Sequence, residues 1–232
     1  MQVDKIIQKI KKLGDPKVKK TKERFAIYAE NSYGIFLKDI QVLAKEIGSN
    51  DNLAIKLFDT GIYEARLLVP HIFNPNNLTS KLMDKWVQTF ENWEICDTFC
   101  MGFFGVSPHA YTKALTWPSN KGEYQKRAGF VCMVSYAFTN KDASNDDVRK
   151  FFSLIVQHAQ DERKYVMKGI NWALRQIAKR NSDLYQEAID LAHHIKDLGG
   201  KEARWIANDA LRQLKRPKIS MKNYPRSIYG KK

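Results

Sequence analysis

Apolar residues along the chain recur at the spacing of amphipathic helices. Apolar stripes of this kind start at Val3, Leu37, Val148 and Ile170. No segment alternates convincingly with the period of two that a half-buried strand shows. We therefore predict an all-α chain of roughly a dozen short helices. The first stripe comprises Val3, Ile6, Ile7, Ile10 and Leu13, with lysines on the opposite side.

Local signals mark where several of these helices begin and end. Asp15 before Pro16 is typical of a helix start, and Ser144 with Asp147 resembles a capping box. Gly199 with Gly200 closes a late helix. Short turns between helices favour antiparallel pairs of about 40 residues, the period of HEAT-class repeats. The pattern thus predicts a helical-repeat solenoid with a concave face. Because Lys and Arg outnumber Asp and Glu by 39 to 25, we expect this face to be basic and to cradle a DNA duplex.

Composition bears on the number of domains. The 232 residues would allow one domain or two, but Gly and Pro number only 12 and 7 and form no linker-like run. We expect a single repeat domain over residues 1–214. Residues 215–232 are basic, include aromatic residues and lack an apolar period. This tail is interpreted either as a disordered end or as a phosphate-contacting extension.

Charge narrows the class of partner. Lys and Arg total 39 against 25 Asp and Glu, which leaves +14 and a sequence pI near 9.6. Such an excess favours a polyanion, either a nucleic acid or an anionic membrane surface, although a merely soluble basic protein would also show it. No apolar run approaches the ~20 residues of a membrane span, and no signal peptide is evident. The three cysteines are an odd number and do not build a disulfide framework, which is typical of proteins in a reducing compartment. We therefore expect a cytoplasmic protein.

Several enzyme classes lack their motifs in this chain. A P-loop, a dinucleotide-binding glycine motif, HExxH and GxSxG are all missing. Phosphoryl transfer, zinc hydrolysis and serine-triad chemistry therefore have no support. We expect neither a cofactor nor a metal site, and we interpret Cys96 and Cys100 as buried small apolar residues.

One carboxylate occupies an unusual setting. Trp93 and Asp97 are four residues apart, so on a helix the indole and the carboxylate face the same way. Cys96, Phe99 and Cys100 form an apolar neighbourhood around Asp97. Because an unpaired buried carboxylate is costly, Asp97 is expected to be paired or to be used in chemistry. An Asp that caps or salt-bridges a neighbouring helix is the alternative.

Two further segments carry aromatic and basic side chains. Lys126 and Arg127 open an apolar helix, and Lys168 to Arg175 places Trp172 within a stripe that resembles a helix core. Taken alone, Trp172 would be core packing and Arg127 the partner of a surface acid. Together with Trp93 and Asp97, the segments give an ordered set of motifs.

This ordered set resembles the AlkD-type DNA alkylation-repair glycosylases, from about residue 31 to about 214. Gln125 to Ala128 is similar to the family's QRAA-like signature, and Lys168 to Arg175 to its K-A-I-G-W-x-L-R-like stretch. The chain departs from the family at Gly169, where alanine is usual, at Asn171, where glycine is common, and at Tyr124, where tryptophan would be familiar. The resemblance implies that Asp97 is catalytic with Trp93 and Trp172, and that Arg127, Lys126, Lys168 and Arg175 bind DNA.

The resemblance also implies a reaction. The expected function is a monomeric glycosylase, with no obligate protein partner, that hydrolyses the N-glycosidic bond of cationic alkylated purines of the 3-methyladenine and 7-methylguanine type in duplex DNA. Such a leaving group needs little acid catalysis, so one carboxylate, Asp97, would stabilise positive charge at C1′ and orient a water. Alternatives are a non-catalytic module for damaged or branched DNA on the same scaffold, and a helical-repeat scaffold that binds another protein.

Overall fold

A computed structural model describes residues 2–215, which contain thirteen α-helices, three short 3-10 helices and no strand. The described residues divide into two compact units, with the boundary between Phe103 and Phe104. The prediction of one continuous domain over 1–214 stays a prediction, and the predicted tail lies outside the described residues except for Lys215. The α-helices are α1 (Val3–Leu13), α2 (Pro16–Arg24), α3 (Leu37–Ile47), α4 (Asp51–Asp59), α5 (Tyr63–Ile72), α6 (Ser80–Val87), α7 (Trp93–Cys100), α8 (Ala110–Thr116), α9 (Glu123–Thr139), α10 (Asn145–Gln157), α11 (Lys164–Ala178), α12 (Ser182–Asp197) and α13 (Lys201–Leu214).

Helix starts in the first unit follow the local capping signals. The Asp15 side chain accepts a hydrogen bond from the Lys17 backbone N–H, and Pro16 occupies the first turn of α2. Asn50 caps α4 in the same way, by accepting from the Leu53 backbone N–H. The helix start predicted at Asp15–Pro16 is therefore confirmed.

The first unit is built around α5, which is buried along nearly its whole length. An aromatic cluster fills the space between α4, α6 and α7. Phe58 stacks on Trp86 with ring centroids 4.9 Å apart, and Trp86 meets Phe99 edge-on at 5.9 Å. Because Phe99 belongs to α7, this cluster fixes the inner side of the helix that carries Trp93 and Asp97.

The second unit is centred on α9 and α11, which pack against each other along their length. Gly129 of α9 allows the chain at Pro118 to approach closely, since a Cβ at this position would lie 2.5 Å from the proline Cδ. The predicted capping box is confirmed at the start of α10. The Ser144 hydroxyl accepts from the Asp147 backbone N–H at 3.1 Å and donates to its carboxylate at 2.7 Å.

Two further features of residues 2–215 bear on the sequence-based expectations. No helix in this part of the chain has the length and apolar character needed to cross a bilayer. Cys96 and Cys100 are buried, as predicted, and Cys132 is buried as well.

Candidate active site and nucleic-acid interface

Trp93 and Asp97 lie one turn apart on α7, and both side chains are half-buried. Cys96 and Phe99 point inward and are fully buried. Asp97 thus lies at the boundary of the apolar core. It is more exposed to solvent than its apolar neighbours in the sequence led us to expect. The turn after α7 begins where the Met101 N–H donates to the Asp97 carbonyl at 2.8 Å. The indole and the carboxylate therefore share the solvent-facing side of a short, well-terminated helix.

The segment after α2 holds the Trp93 indole in place. The Trp93 Nε1 donates to the Phe25 carbonyl at 2.9 Å. Next to it, the fully buried side chain of Asn92 donates through Nδ2 to the Tyr28 carbonyl at 3.0 Å. Ala26 adopts a left-handed backbone conformation, with φ 56°, between these two contacts. Two hydrogen bonds thus tie residues 25–28 to the start of α7 and set the direction of the indole.

A buried ion pair anchors the same end of α7. The Lys22 ammonium of α2 lies 2.7 Å from the Glu94 carboxylate, and both side chains are largely buried. The Tyr63 hydroxyl donates to Glu94 at 2.8 Å, and burial together with the charge of Glu94 raises the pKa of Tyr63 above its ordinary value. Tyr63 therefore remains a neutral donor. We did not identify this cluster from the sequence. The available signal was the position of Lys22, four residues after Val18 and therefore on the inner side of α2.

Arg127 lies in the interior of the second unit. Only 5% of the residue is exposed, and its Nη1 donates to the Tyr165 carbonyl at 2.7 Å. The Glu123 carboxylate accepts from the Tyr165 backbone N–H at 3.0 Å. Arg127 thus connects α9 to the first turn of α11. The DNA contact predicted for Arg127 stays a prediction.

Lys126 also forms its polar contacts with other residues of the protein. Its ammonium lies 3.2 Å from the Asp161 carboxylate, and 12% of its side chain is exposed. Burial raises the pKa of Asp161, but hydrogen bonds from Arg163 and Lys126 outweigh it and lower the pKa to about 2. Burial and the nearby Lys126 lower the pKa of His158, whose Nδ1 lies 3.4 Å from the ammonium. The charge of Lys126 is therefore largely balanced by Asp161.

The other predicted residues of the second unit lie on α11. Trp172 is half-buried and Lys168 is exposed. The Arg175 Nε donates to the Asn171 side-chain oxygen at 2.9 Å, and Asn171 in turn donates to the Ile206 carbonyl at 3.0 Å. Asn171, which replaces the family's common glycine, thus orients Arg175 and joins α11 to α13.

The predicted residues accordingly fall into two groups. Trp93 and Asp97 share one side of α7 in the first unit. In the second unit, Lys126 and Arg127 lie beside the start of α11, and Lys168, Trp172 and Arg175 follow along that helix.

The fold matches known helical-repeat structures. A solved structure from "a new family of proteins related to the HEAT-like repeat DNA glycosylases with affinity for branched DNA structures" is 19% identical, with a TM-score of 0.74 over 92% of this chain and 95% of that chain. A designed armadillo repeat protein is 14% identical over 77% of this chain and 92% of its own, with a TM-score of 0.34, which is too low to indicate a shared fold. The predicted class, an all-α HEAT-like repeat, is confirmed, whereas its concave, basic face stays a prediction.

The sequence shows to which protein family the chain belongs. The model of the DNA alkylation repair enzyme family matches residues 6–214, and the chain belongs to this family. No protein with a curated description matches the chain significantly. Membership confirms the predicted resemblance to DNA alkylation-repair proteins and places the chain in DNA repair.

Proposed function

We propose that the protein is a DNA glycosylase that hydrolyses the N-glycosidic bond of cationic alkylated purines, of the 3-methyladenine and 7-methylguanine type, in duplex DNA. One observation carries the proposal: Trp93 and Asp97 lie together on the accessible side of α7, which a buried ion pair and two hydrogen bonds hold in place. Membership in the DNA alkylation repair family supports it. A cytoplasmic location and a monomeric state stay predictions.

The chemistry needs one anion rather than an acid and a base. An alkylated purine is already cationic, so it leaves as a neutral base with the bonding electron pair when the C1′–N bond breaks. Positive charge develops at C1′, and the Asp97 carboxylate stabilises it. A water then bonds to C1′, and one of its protons passes through Asp97 to solvent. A single accessible carboxylate is sufficient for both steps.

Trp93 is the aromatic partner of Asp97 in this proposal. The electron-rich face of an indole attracts a cationic sugar and a cationic base. Because the Phe25 carbonyl fixes the Trp93 Nε1, little freedom is lost when the substrate binds. Trp172, half-buried on α11, is proposed as the second aromatic residue.

Phosphate contacts are assigned to side chains that solvent can reach. Lys168 is exposed, and Arg175 is half-buried and oriented by Asn171. Arg127 and Lys126, both mostly buried and bonded within the protein, are proposed to bind DNA from the start of α11. Each phosphate that the exposed cations neutralise would add to the salt dependence of binding.

A second candidate function is non-catalytic binding of branched DNA. The solved structure with a TM-score of 0.74 belongs to a family described by its affinity for such structures. Incubation of the wild type with duplex DNA that contains 7-methylguanine separates the two functions. Release of free base supports the glycosylase. Tight binding of four-way junctions together with no release from 7-methylguanine or 3-methyladenine duplexes would replace it with the binding module.

A further inference from the structure

Tyr165 presents its ring from an unusually well-fixed position. Its backbone N–H donates to the Glu123 carboxylate at 3.0 Å, and its carbonyl accepts from the Arg127 Nη1 at 2.7 Å. Both partners belong to α9, whereas Tyr165 lies in the first turn of α11. The two bonds hold the backbone from both sides, so the half-buried ring has a defined direction.

A second tyrosine extends this aromatic surface. The Tyr124 ring of α9 lies 5.7 Å from the Tyr165 ring, with an interplanar angle of 36°. Both rings are half-buried rather than enclosed in the core. We call the two rings, with Lys164 and Lys168, the tyrosine platform.

Two lysines gather at one ring of the platform. The ammonium groups of Lys164 and Lys168 lie 5.7 Å and 5.9 Å from the Tyr165 ring centroid. Both side chains are exposed, and within residues 2–215 neither forms an ion pair, whereas the neighbouring Lys126 and Arg163 share Asp161.

The electrostatics of α11 do not account for these lysines. Lys164 lies in the first turn of the helix, where a cation opposes the helix dipole. Two ammonium groups near one ring also repel each other, and an anion between them would relieve that repulsion. The arrangement is therefore that of a surface prepared for a negatively charged ligand.

A nucleotide combines the two features that the platform complements. Its base offers an aromatic face to a tyrosine ring, and its phosphate offers a negative charge to lysine. Inside a duplex, neighbouring base pairs cover both faces of each base, so an unpaired base is a better partner for a protein ring than an internal paired one. We propose that the tyrosine platform binds an unpaired nucleotide of the DNA strand, with the base on the tyrosine rings and the phosphate at Lys164 and Lys168. The inference rests on the proposed function only in taking DNA as the partner.

Binding of undamaged DNA tests the platform separately from excision. The probes are a blunt duplex and the same duplex with a short single-stranded overhang that contains 2-aminopurine, whose fluorescence falls on stacking. We expect the wild type to bind the overhang duplex at least about fivefold more tightly and to quench the probe, because stacking of one base contributes on that scale. Tyr165→Leu should abolish both effects and leave blunt-duplex affinity unchanged, and Tyr165→Phe should keep both.

A matched control exists at the other end of α9. Phe138 is 43% exposed, and the Lys141 ammonium lies 4.9 Å from its ring centroid. Phe138→Leu should keep the overhang preference. Lys164→Gln combined with Lys168→Gln should reduce the preference and the salt dependence of overhang binding.

Two results would overturn the inference. One is equal affinity of the wild type for blunt and overhang duplexes. The other is an overhang preference that persists in Tyr165→Leu. If the preference persists there and only the lysine variants weaken binding, the lysines contact phosphate and no base stacks on the ring, which also overturns the inference. Excision of 7-methylguanine from a blunt duplex is measured in parallel. Its absence in the wild type would refute the proposed glycosylase and leave the overhang result to decide on the platform.

Discussion

The ion pair between Lys22 and Glu94 gives a quantitative prediction about how the candidate active site is held. The two charged atoms lie 2.7 Å apart, with 6% and 11% of the side chains exposed. Tyr63 supplies one further hydrogen bond to the same carboxylate. Lys22→Met would remove the cation while keeping most of the apolar stem. Glu94 would then be a buried carboxylate with a single neutral donor.

The expected loss follows from the desolvation of Glu94. Removal of one partner from a buried ion pair costs about 3–5 kcal/mol of unfolding free energy, because the remaining charge stays buried without compensation. Replacement of both partners, Lys22→Met with Glu94→Gln, should cost less than Lys22→Met alone. Lys20→Met is the matched control on the exposed side of α2 and should change stability by at most about 0.5 kcal/mol.

Urea unfolding of the full chain, followed by tryptophan fluorescence, measures these differences. With a urea dependence of about 1–3 kcal/mol per molar, a loss of about 3–5 kcal/mol should lower the midpoint of Lys22→Met by roughly 1–5 M. A loss of stability in Lys22→Met no greater than that in Lys20→Met would refute the stabilising role of the ion pair. A double variant less stable than Lys22→Met would refute the stated desolvation cost of Glu94.

Three further outcomes are expected from single sites in the second unit. Gly129→Ala should destabilise the fold by about 1–3 kcal/mol in urea unfolding, because the new Cβ would lie 2.5 Å from the Pro118 Cδ. Gly169→Ala is the matched control, because a Cβ at this position meets no atom closer than 3.4 Å. The free energy of unfolding should therefore rise by up to about 1 kcal/mol, and a clear loss would contradict the space observed around Gly169. The lowered pKa of Asp161, about 2 against an ordinary 3.8, means that its contribution is complete above about pH 4 and is lost as the pH falls toward 2. Unfolding midpoints measured across this range should fall less for Asp161→Asn than for the wild type.

Features set by neighbouring residues were predictable from the sequence. The cap at Asp15 and the capping box at Ser144 involve contacts within three residues, so the local sequence determines them. The shared side of Trp93 and Asp97 follows from helical periodicity alone. The repeat class follows from the succession of short amphipathic helices.

Features set by distant residues were not predictable in the same way. Arg127 donates to the carbonyl of Tyr165, which lies 38 residues away on another helix, and no local pattern reveals that bond. The partners Lys22 and Glu94 are 72 residues apart. Packing of remote helices decides whether a charged side chain is exposed, and spacing along one helix does not.

In the proposed reaction, the Asp97 carboxylate performs the excision of an alkylated base. Single-turnover release of 7-methylguanine from duplex DNA tests it most directly, with the wild type, Asp97→Asn and the exposed control Asp59→Asn compared at equal DNA occupancy. Asp97→Asn keeps the volume and removes the charge, so release should slow by about two to three orders of magnitude while DNA binding is retained. Asp59→Asn should match the wild type. Release by Asp97→Asn at the wild-type rate would show that Asp97 does not perform the excision.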